Sequence, residues 1–301
     1  RKIVTPEDII AHTPLELTLA QREAYFTDGF IVAKSFFTKG ELDGLRDLSE
    51  RFLEQSKAIS VSNEAYDLGL NHSPDHVHVR RLKKPVDRHP DFWTFASQSR
   101  LTEAAADLVG PDVKFHSCKL NYKWPGPDDL VKWHQDILAW PHTNYSPVTL
   151  GVYLDDVTTE HGPLACIRGS HNRELFSHYD ANGAWSGYIS DDDMAKVDLD
   201  QSVELTGPAG SLVAVNCRTV HGSQPNFSAK TRPLLLYVYS SADAFTWMPA
   251  PSPTTKTGEI VRGSTAKYVH MDPRPCLVPP NWDKEGYGSI FASQKVSKGT
   301  E

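Results

Sequence analysis

The 301-residue chain contains no run approaching the roughly 18 apolar residues of a membrane-spanning helix, which excludes such a helix. Its first residues, Arg1-Lys2-Ile3-Val4-Thr5-Pro6, lack the apolar stretch of a secretory signal. Cysteine is scarce: Cys118, Cys166, Cys217 and Cys276 stand far apart and form no C-x-x-C pair. A disulfide framework and a thiolate zinc site are therefore not expected, and a reducing, cytoplasmic setting is. Positive charge is also short. The formal net charge is −7 and the one dense basic run is Arg80-Arg81-Leu82-Lys83-Lys84, so nucleic acid is not the expected partner. Methionine is rare too, with 3 residues, whereas 13 His, 7 Trp and 21 Pro are present. Histidine is the residue type in which to look for chemistry.

The chain begins helical. Thr18-Leu19-Ala20-Gln21 and Thr38-Lys39-Gly40-Glu41 are capping-box patterns, each opening a helix, and Gly29 is placed to stop the first. Leu42, Leu45, Leu48 and Phe52 recur at helical spacing in the second, and Phe30-Ile31-Val32-Ala33 between the two reads as a short strand. Residues 60–92 read as a long irregular loop, polar and rich in His and Pro. Loops of that length inside a domain are commonly functional. From about residue 113 the pattern turns to short strands, at 113–123, 131–137, 148–154, 163–167, 203–206, 211–215 and 233–240. A mainly β (α+β) fold follows, a sandwich or barrel with the N-terminal helices packed on one sheet. With no internal repeat and no clear linker, residues 1–301 are read as a single domain. It divides into helices and a specificity loop over 1–112, a β core over 113–245 and a wrapping tail over 246–301.

Four His-x-Asp pairs occur: His89/Asp91, His134/Asp136, His178/Asp180 and His270/Asp272. On a strand, positions i and i+2 share a face, so such a pair can hold one metal. Only His134/Asp136 lies on an expected strand within the β region; the others fall in loops or the Pro-rich tail. A third ligand is available in His221, at the end of a later strand. Two histidines and a carboxylate on adjacent strands make a facial triad, which leaves coordination positions open on Fe(II). Arg232 precedes the strand Leu234-Leu235-Leu236-Tyr237-Val238-Tyr239, where a guanidinium can take a carboxylate bidentately.

These motifs, in this order, resemble the phytanoyl-CoA dioxygenase family of Fe(II)/2-oxoglutarate oxygenases. Asp28-Gly29-Phe30-Ile31-Val32 is similar to the family's opening helix–strand junction, and Trp133-His134-Gln135-Asp136 to its first metal motif. Glu160-His161-Gly162-Pro163-Leu164 with Gly169-Ser170-His171 resembles the central hairpin signature, although Arg168 stands where the family has Pro. His171 reads as a structural residue of that hairpin. The resemblance implies a double-stranded β-helix (jelly-roll) core. It also implies Fe(II), 2-oxoglutarate and O2 as cofactor and co-substrates, with His134, Asp136 and His221 as iron ligands. Arg232 matches the residue that pairs with the distal carboxylate of 2-oxoglutarate, Ser223 the hydroxyl that assists it, and Asn121 an oxoglutarate-contacting position. Trp140 and the segment 116–123 are similar to ectoine hydroxylase, a small-metabolite branch, which adds Trp140 to the expected co-substrate residues.

The implied reaction is oxidation of a substrate C–H, with 2-oxoglutarate converted to succinate and CO2. Because Asp136 is a carboxylate, a halogenase that leaves room for chloride is disfavoured. The expected substrate is a small metabolite. An acyl-CoA or carrier-bound thioester, and a catalytically silent jelly-roll binder, are the alternatives. His76, His78 and Arg80 are the candidate substrate contacts, within a 60–92 lid that closes over the site with part of the tail. Neither a membrane nor a nucleic acid is an expected partner, and the oligomeric state is left open.

Overall fold

Capping determines where the helical layer begins and ends. Thr18 accepts from the backbone N–H of Gln21 at 3.2 Å while its own N–H donates to Gln21 Oε1 at 2.9 Å, and Thr38 and Glu41 repeat the exchange. The resulting helices are α2 (Leu19–Asp28) and α3 (Lys39–Ser56), preceded by α1 (Pro6–Ala11) and followed by α4 (Pro90–Gln98) and α5 (Arg100–Val109). Gly29 ends α2 at φ +91°, a left-handed position that favours glycine. The computed structural model describes residues 5–287 and 289–296, so the ends of the expected 1–112 and 246–301 segments lie outside the described residues.

The strands are β1 (Phe30–Ala33), β2 (Tyr66–Leu68), β3 (Val79–Lys83), β4 (Val113–Lys123), β5 (Val131–His134) and β6 (Val148–Tyr153). There follow β7 (Ala165–Ile167), β8 (Ser202–Glu204), β9 (Leu212–Asn216), β10 (His221–Ser223), β11 (Arg232–Ser241) and β12 (Ile260–Arg262). They form a large antiparallel sheet in the order β1-β9-β6-β11-β4-β3-β2, with β12 also on β4, and a small one in the order β5-β10-β7-β8. This is the sandwich expected from the strand pattern, in the jelly-roll arrangement that the family resemblance implies. One face of the large sheet packs against the helices, where Leu42, Leu45 and Phe92 meet Leu120, Tyr122, Leu150, Leu235 and Tyr237. The other face packs toward the small sheet through Tyr153, Val213, Leu234, Leu236 and Cys166. Alternation along β4 and β11 therefore sends one set of side chains to the helices and the other to the space between the sheets.

The 60–92 segment differs from the expected loop. Within it β2 and β3 pair with each other and extend the large sheet beyond β4, with Arg81 opposite Asn121 and Leu82 opposite Leu120. Tyr66, Leu68, Val79 and Leu82 are buried in the main core, and that burial holds the segment in place. Phe92 and Trp93 lie on α4 and pack into this core, Trp93 edge-on to Phe115 at 5.3 Å, so neither covers the site.

The helical layer is tied to its own beginning by Asp107 of α5. Its buried carboxylate accepts from the backbone N–H groups of Leu15, Glu16 and Leu17 at 3.0, 2.8 and 2.8 Å, beside the buried Arg22. Asp107→Ala leaves those donors and Arg22 without their anion, and should destabilise the protein by about 3–5 kcal/mol. Urea unfolding monitored by circular dichroism measures this; a loss below about 1 kcal/mol would show that water replaces the carboxylate.

Candidate active site

Strand register brings the two histidines together. His134 ends β5 and His221 begins β10, and the two are directly paired across the small sheet, with ring centroids 4.1 Å apart. Each ring is held by the same local device. His134 Nδ1 is 2.9 Å from the carbonyl of Lys132 and His221 Nδ1 is 2.9 Å from that of Thr219, so each Nδ1–H donates and each Nε2 keeps its lone pair. β5 stops at His134 instead of running to 137. Gln135 is still extended, so the alternation that carries Asp136 back to the face of His134 survives. Asp136 then opens a short 3-10 turn over Asp136–Leu138, and the buried Gln135 side chain anchors the bend by donating to the Arg218 carbonyl at 2.8 Å.

Asp136 Oδ1 lies 3.8 Å from His134 Nε2, and Oδ2 lies 4.0 Å from His221 Nε2. All three ligand atoms fall within 4.8 Å of one another. Thr149 donates to Asp136 Oδ2 at 3.1 Å and fixes the carboxylate's rotation. Burial, and next the neighbouring His221, hold the His134 imidazole neutral. Burial alone would raise the carboxyl of Asp136, but His221, Lys119 and His134 outweigh it and bring it down to about 2. Two imidazoles and one ionised carboxylate, converging from one side, fit Fe(II) with further positions free.

A cavity beside this cluster leads to a cationic end. Its walls include His134, His221, Asn121, Lys123, Ser223 and Arg232. Arg232 is buried at the start of β11; its Nη2 donates to the Gly162 carbonyl at 2.9 Å, while its Nε is buried with no partner. A buried donor without an acceptor is costly, and one lining a cavity next to a metal cluster fits an incoming carboxylate. Gly162 adopts φ +57°, and a Cβ there would come within 2.3 Å of the Gln224 carbonyl and 2.9 Å of Lys123 Cδ. Glycine is required by conformation and by space. Asn121 accepts from Arg81 Nε at 2.9 Å.

Other expected residues lie elsewhere. Trp140 borders a second cavity on the far side of Asp136, with Lys119, His178, Trp185, Tyr287 and Ile290, and not the one that contains Arg232. His78 and Arg80 are buried against Asp129, at 3.3 and 3.0 Å, and neither they nor His76 lines either cavity. The basic run is thus largely internal: Arg80 and Arg81 are buried, and Lys83 donates to the Asn63 carbonyl. Of the other His-x-Asp pairs, His89 caps α4 and His178 accepts from the Gln135 N–H at 3.3 Å; neither joins the cluster. Sequence reasoning passed over Lys119, Lys123 and Arg81. The first two were legible, since alternation from Asn121 places 119 and 123 on its face of β4. Beside the cavity that contains Arg232, the helix Ile290–Val296 sets Phe291 5.5 Å from the guanidinium of Arg81, and both residues line that cavity.

The family model described as Phytanoyl-CoA dioxygenase (PhyH) matches residues 25–234. The chain belongs to the phytanoyl-CoA dioxygenase family. Its members are enzymes that use Fe(II), 2-oxoglutarate and O2, and this oxygenase carries the His-Asp-His cluster that such use requires. It is 27% identical over 279 residues to a protein of Stutzerimonas stutzeri named a probable alpha-ketoglutarate-dependent hypophosphite dioxygenase, covering 92% of this chain and 96% of that one. It is 25% identical to the ectoine dioxygenase of Stutzerimonas stutzeri (strain A1501) over 248 residues, covering 78% and 80%. Among solved structures, EctD from S. alaskensis with bound Fe shares the fold with a TM-score of 0.63 at 23% identity, covering 75% and 78%.

The environment of Gly162 gives a direct test. Gly162→Ala should lower stability by about 1–3 kcal/mol through backbone strain. It should also weaken 2-oxoglutarate binding more than metal binding, because the added methyl group presses on Lys123 and Gln224. Thermal denaturation and metal and 2-oxoglutarate titrations of the variant check both; unchanged 2-oxoglutarate binding would separate Gly162 from the cationic end.

Proposed function

We propose that the oxygenase oxidises an unactivated C–H bond of a small molecule, releasing succinate and CO2, with His134, Asp136 and His221 holding Fe(II). The observation that carries this reading is the adjacency of a three-ligand cluster and a buried guanidinium whose Nε has no partner, joined by one cavity. Bound Fe(II), with 2-oxoglutarate and O2, supplies the oxidising chemistry. The chain's own residues supply placement. His134 and His221 present lone pairs because their Nδ1–H groups are already committed to carbonyls. Asp136 supplies the compensating charge, oriented by Thr149. Arg232 and Ser223 take the far carboxylate of 2-oxoglutarate, with Asn121 along its length. The second cavity, walled by Trp140, Trp185, Tyr287 and Ile290, receives the substrate and keeps bulk water away.

This cavity is small, mixed in polarity and continuous with Asp136, which favours a compact metabolite over a long acyl chain. Of the lid expected from 60–92 with part of the tail, the tail's share falls to Tyr287 and Ile290, which border the cavity, while β3 within 60–92 is paired to β4.

Succinate release across a panel of small acids, amino acids and phosphonates, with Fe(II) and 2-oxoglutarate present, tests the reading. His134→Ala and His221→Ala should abolish turnover and lower iron occupancy. Arg232→Ala should raise the KM for 2-oxoglutarate by about thirtyfold or more, from the ~2–5 kcal/mol cost of removing one partner of a desolvated charge pair, with iron binding retained. Full succinate formation by either histidine variant would sink the assignment.

A further inference from the structure

We infer that a cavity beside α1, separate from those at the metal cluster, is a second ligand site that takes a small monocarboxylate with an apolar body. Its volume is about 370 Å³, within the range that holds small-molecule ligands. It shares no lining residue with either cavity at the metal cluster. The helical layer supplies its apolar surface, through Ile9 and Ile10 of α1, Phe26 of α2 and Leu108 of α5. The loop after β9 and the tail supply its positive charge, through Arg218 and Arg274.

Arg218 is a buried cation without a counter-ion. It is 5% exposed, and its Nε and Nη2 donate to the carbonyls of His171 and Arg173 at 2.7 and 2.5 Å. Among the described residues its Nη1 has no hydrogen-bond partner, and no carboxylate lies within 4.0 Å of the guanidinium. Two carboxylates line the cavity with it. Asp272 is taken bidentately by Arg274, at 2.9 and 2.8 Å, and Glu7 stands exposed on α1. Arg218 and Arg274 lie against one ring, that of Tyr145, at 4.3 and 4.7 Å from its centroid. The ring is fixed in turn by its hydroxyl, which donates to the Pro275 carbonyl at 2.9 Å. Arg274 Nη1 also has no partner among the described residues.

A cation taken out of water is costly, and carbonyl oxygens return only part of what an anion would. The amides nearby are already committed, Asn144 Nδ2 to the His270 carbonyl at 3.3 Å and Asn216 Nδ2 to the Tyr145 carbonyl at 3.2 Å. The two guanidiniums are therefore the donors left for a ligand, and their planar N–H groups suit the oxygens of an oxyanion. Asp272 and Glu7 limit the negative charge that the site accepts, which favours a monocarboxylate over a phosphate. The apolar residues of the three helices favour a hydrocarbon body behind that head group.

The experiment is titration of hexanoate into the full chain, with Zn(II) and saturating 2-oxoglutarate present, followed by ligand-observed NMR and calorimetry. Hexanoate should bind at a single site with a Kd on the order of 1 mM, as suits so small a ligand. Hexanol, which lacks the charge, and inorganic phosphate, which lacks the apolar body, should each bind at least about tenfold more weakly. Arg218→Gln should abolish binding, and Arg274→Gln should weaken it about tenfold. Ile10→Asp, which sets a carboxylate among the apolar residues, should weaken it by at least as much. Arg232→Ala should bind hexanoate as the wild type does. If Arg218→Gln does not fold by circular dichroism, Arg274→Gln and Ile10→Asp decide the matter. The inference is overturned by the lack of saturable binding up to about 20 mM hexanoate, or by binding unchanged in Arg274→Gln and Ile10→Asp. Phosphate binding as tightly as hexanoate overturns it too. Hexanoate binding that 2-oxoglutarate displaces, or that Arg232→Ala removes, places the ligand at the metal cluster instead and overturns it equally.

Discussion

The antiparallel pairing of β5 with β10 places His134 opposite His221, and the rest of the site is arranged around those two rings. A histidine at a strand end is free to rotate about two bonds. Here each ring is pinned through Nδ1 to the carbonyl two residues before it, a bond that costs no tertiary contact and needs no other side chain. The two Nε2 atoms thereby converge on Asp136 before any metal arrives. A ligand set assembled in advance gives up less conformational entropy on binding than one that has to be gathered. A one-residue slip between β5 and β10 would turn one imidazole out of the space between the sheets.

Charge placement is the second constraint. The interior between the sheets holds Asp136 at one end and Arg232 with Lys123 at the other, with Arg80, His78 and Asp129 forming a closed group to the side. The closed group satisfies itself and has a structural character. The open ends do not, and an unsatisfied charge inside a protein is tolerated where a ligand completes it. The same contrast separates Arg80 from Arg81, neighbours in sequence on opposite faces of β3: the first is consumed by Asp129, and the second lines the cavity.

Much of this was legible in the chain alone. Both capping boxes, the Gly29 stop and the strands that became β4, β6, β9 and β11 follow from local rules, because caps and period-two alternation are decided within a few residues. His134, Asp136 and His221 could be picked from a chain with 13 His because one pair alone sat on a core strand with a later histidine to complete it. What local rules cannot reach is pairing at a distance. β2 and β3 were hidden among His and Pro, since their stability comes from β4 about forty residues on. Arg80 was set among the candidate substrate contacts because Asp129, 49 residues further on, cannot be seen from its neighbours. Trp140 was set with the co-substrate residues by resemblance, and its placement beyond Asp136 depends on how the 3-10 turn after Gln135 redirects the chain.

The two faces of β4 have different duties. Cys118, Leu120 and Tyr122 are committed to the core shared with the helices, while Lys119, Asn121 and Lys123 border the cavity. The assignments largely alternate along one unbroken strand, with Tyr122 alone of the core set also touching the cavity, so most residues that hold the fold are not those that decide what it binds. Lineages diverging from such a strand can exchange cavity residues one at a time while the core contacts stay as they are. A single scaffold of this kind can thus come to serve chemically unrelated substrates without passing through an unfolded ancestor.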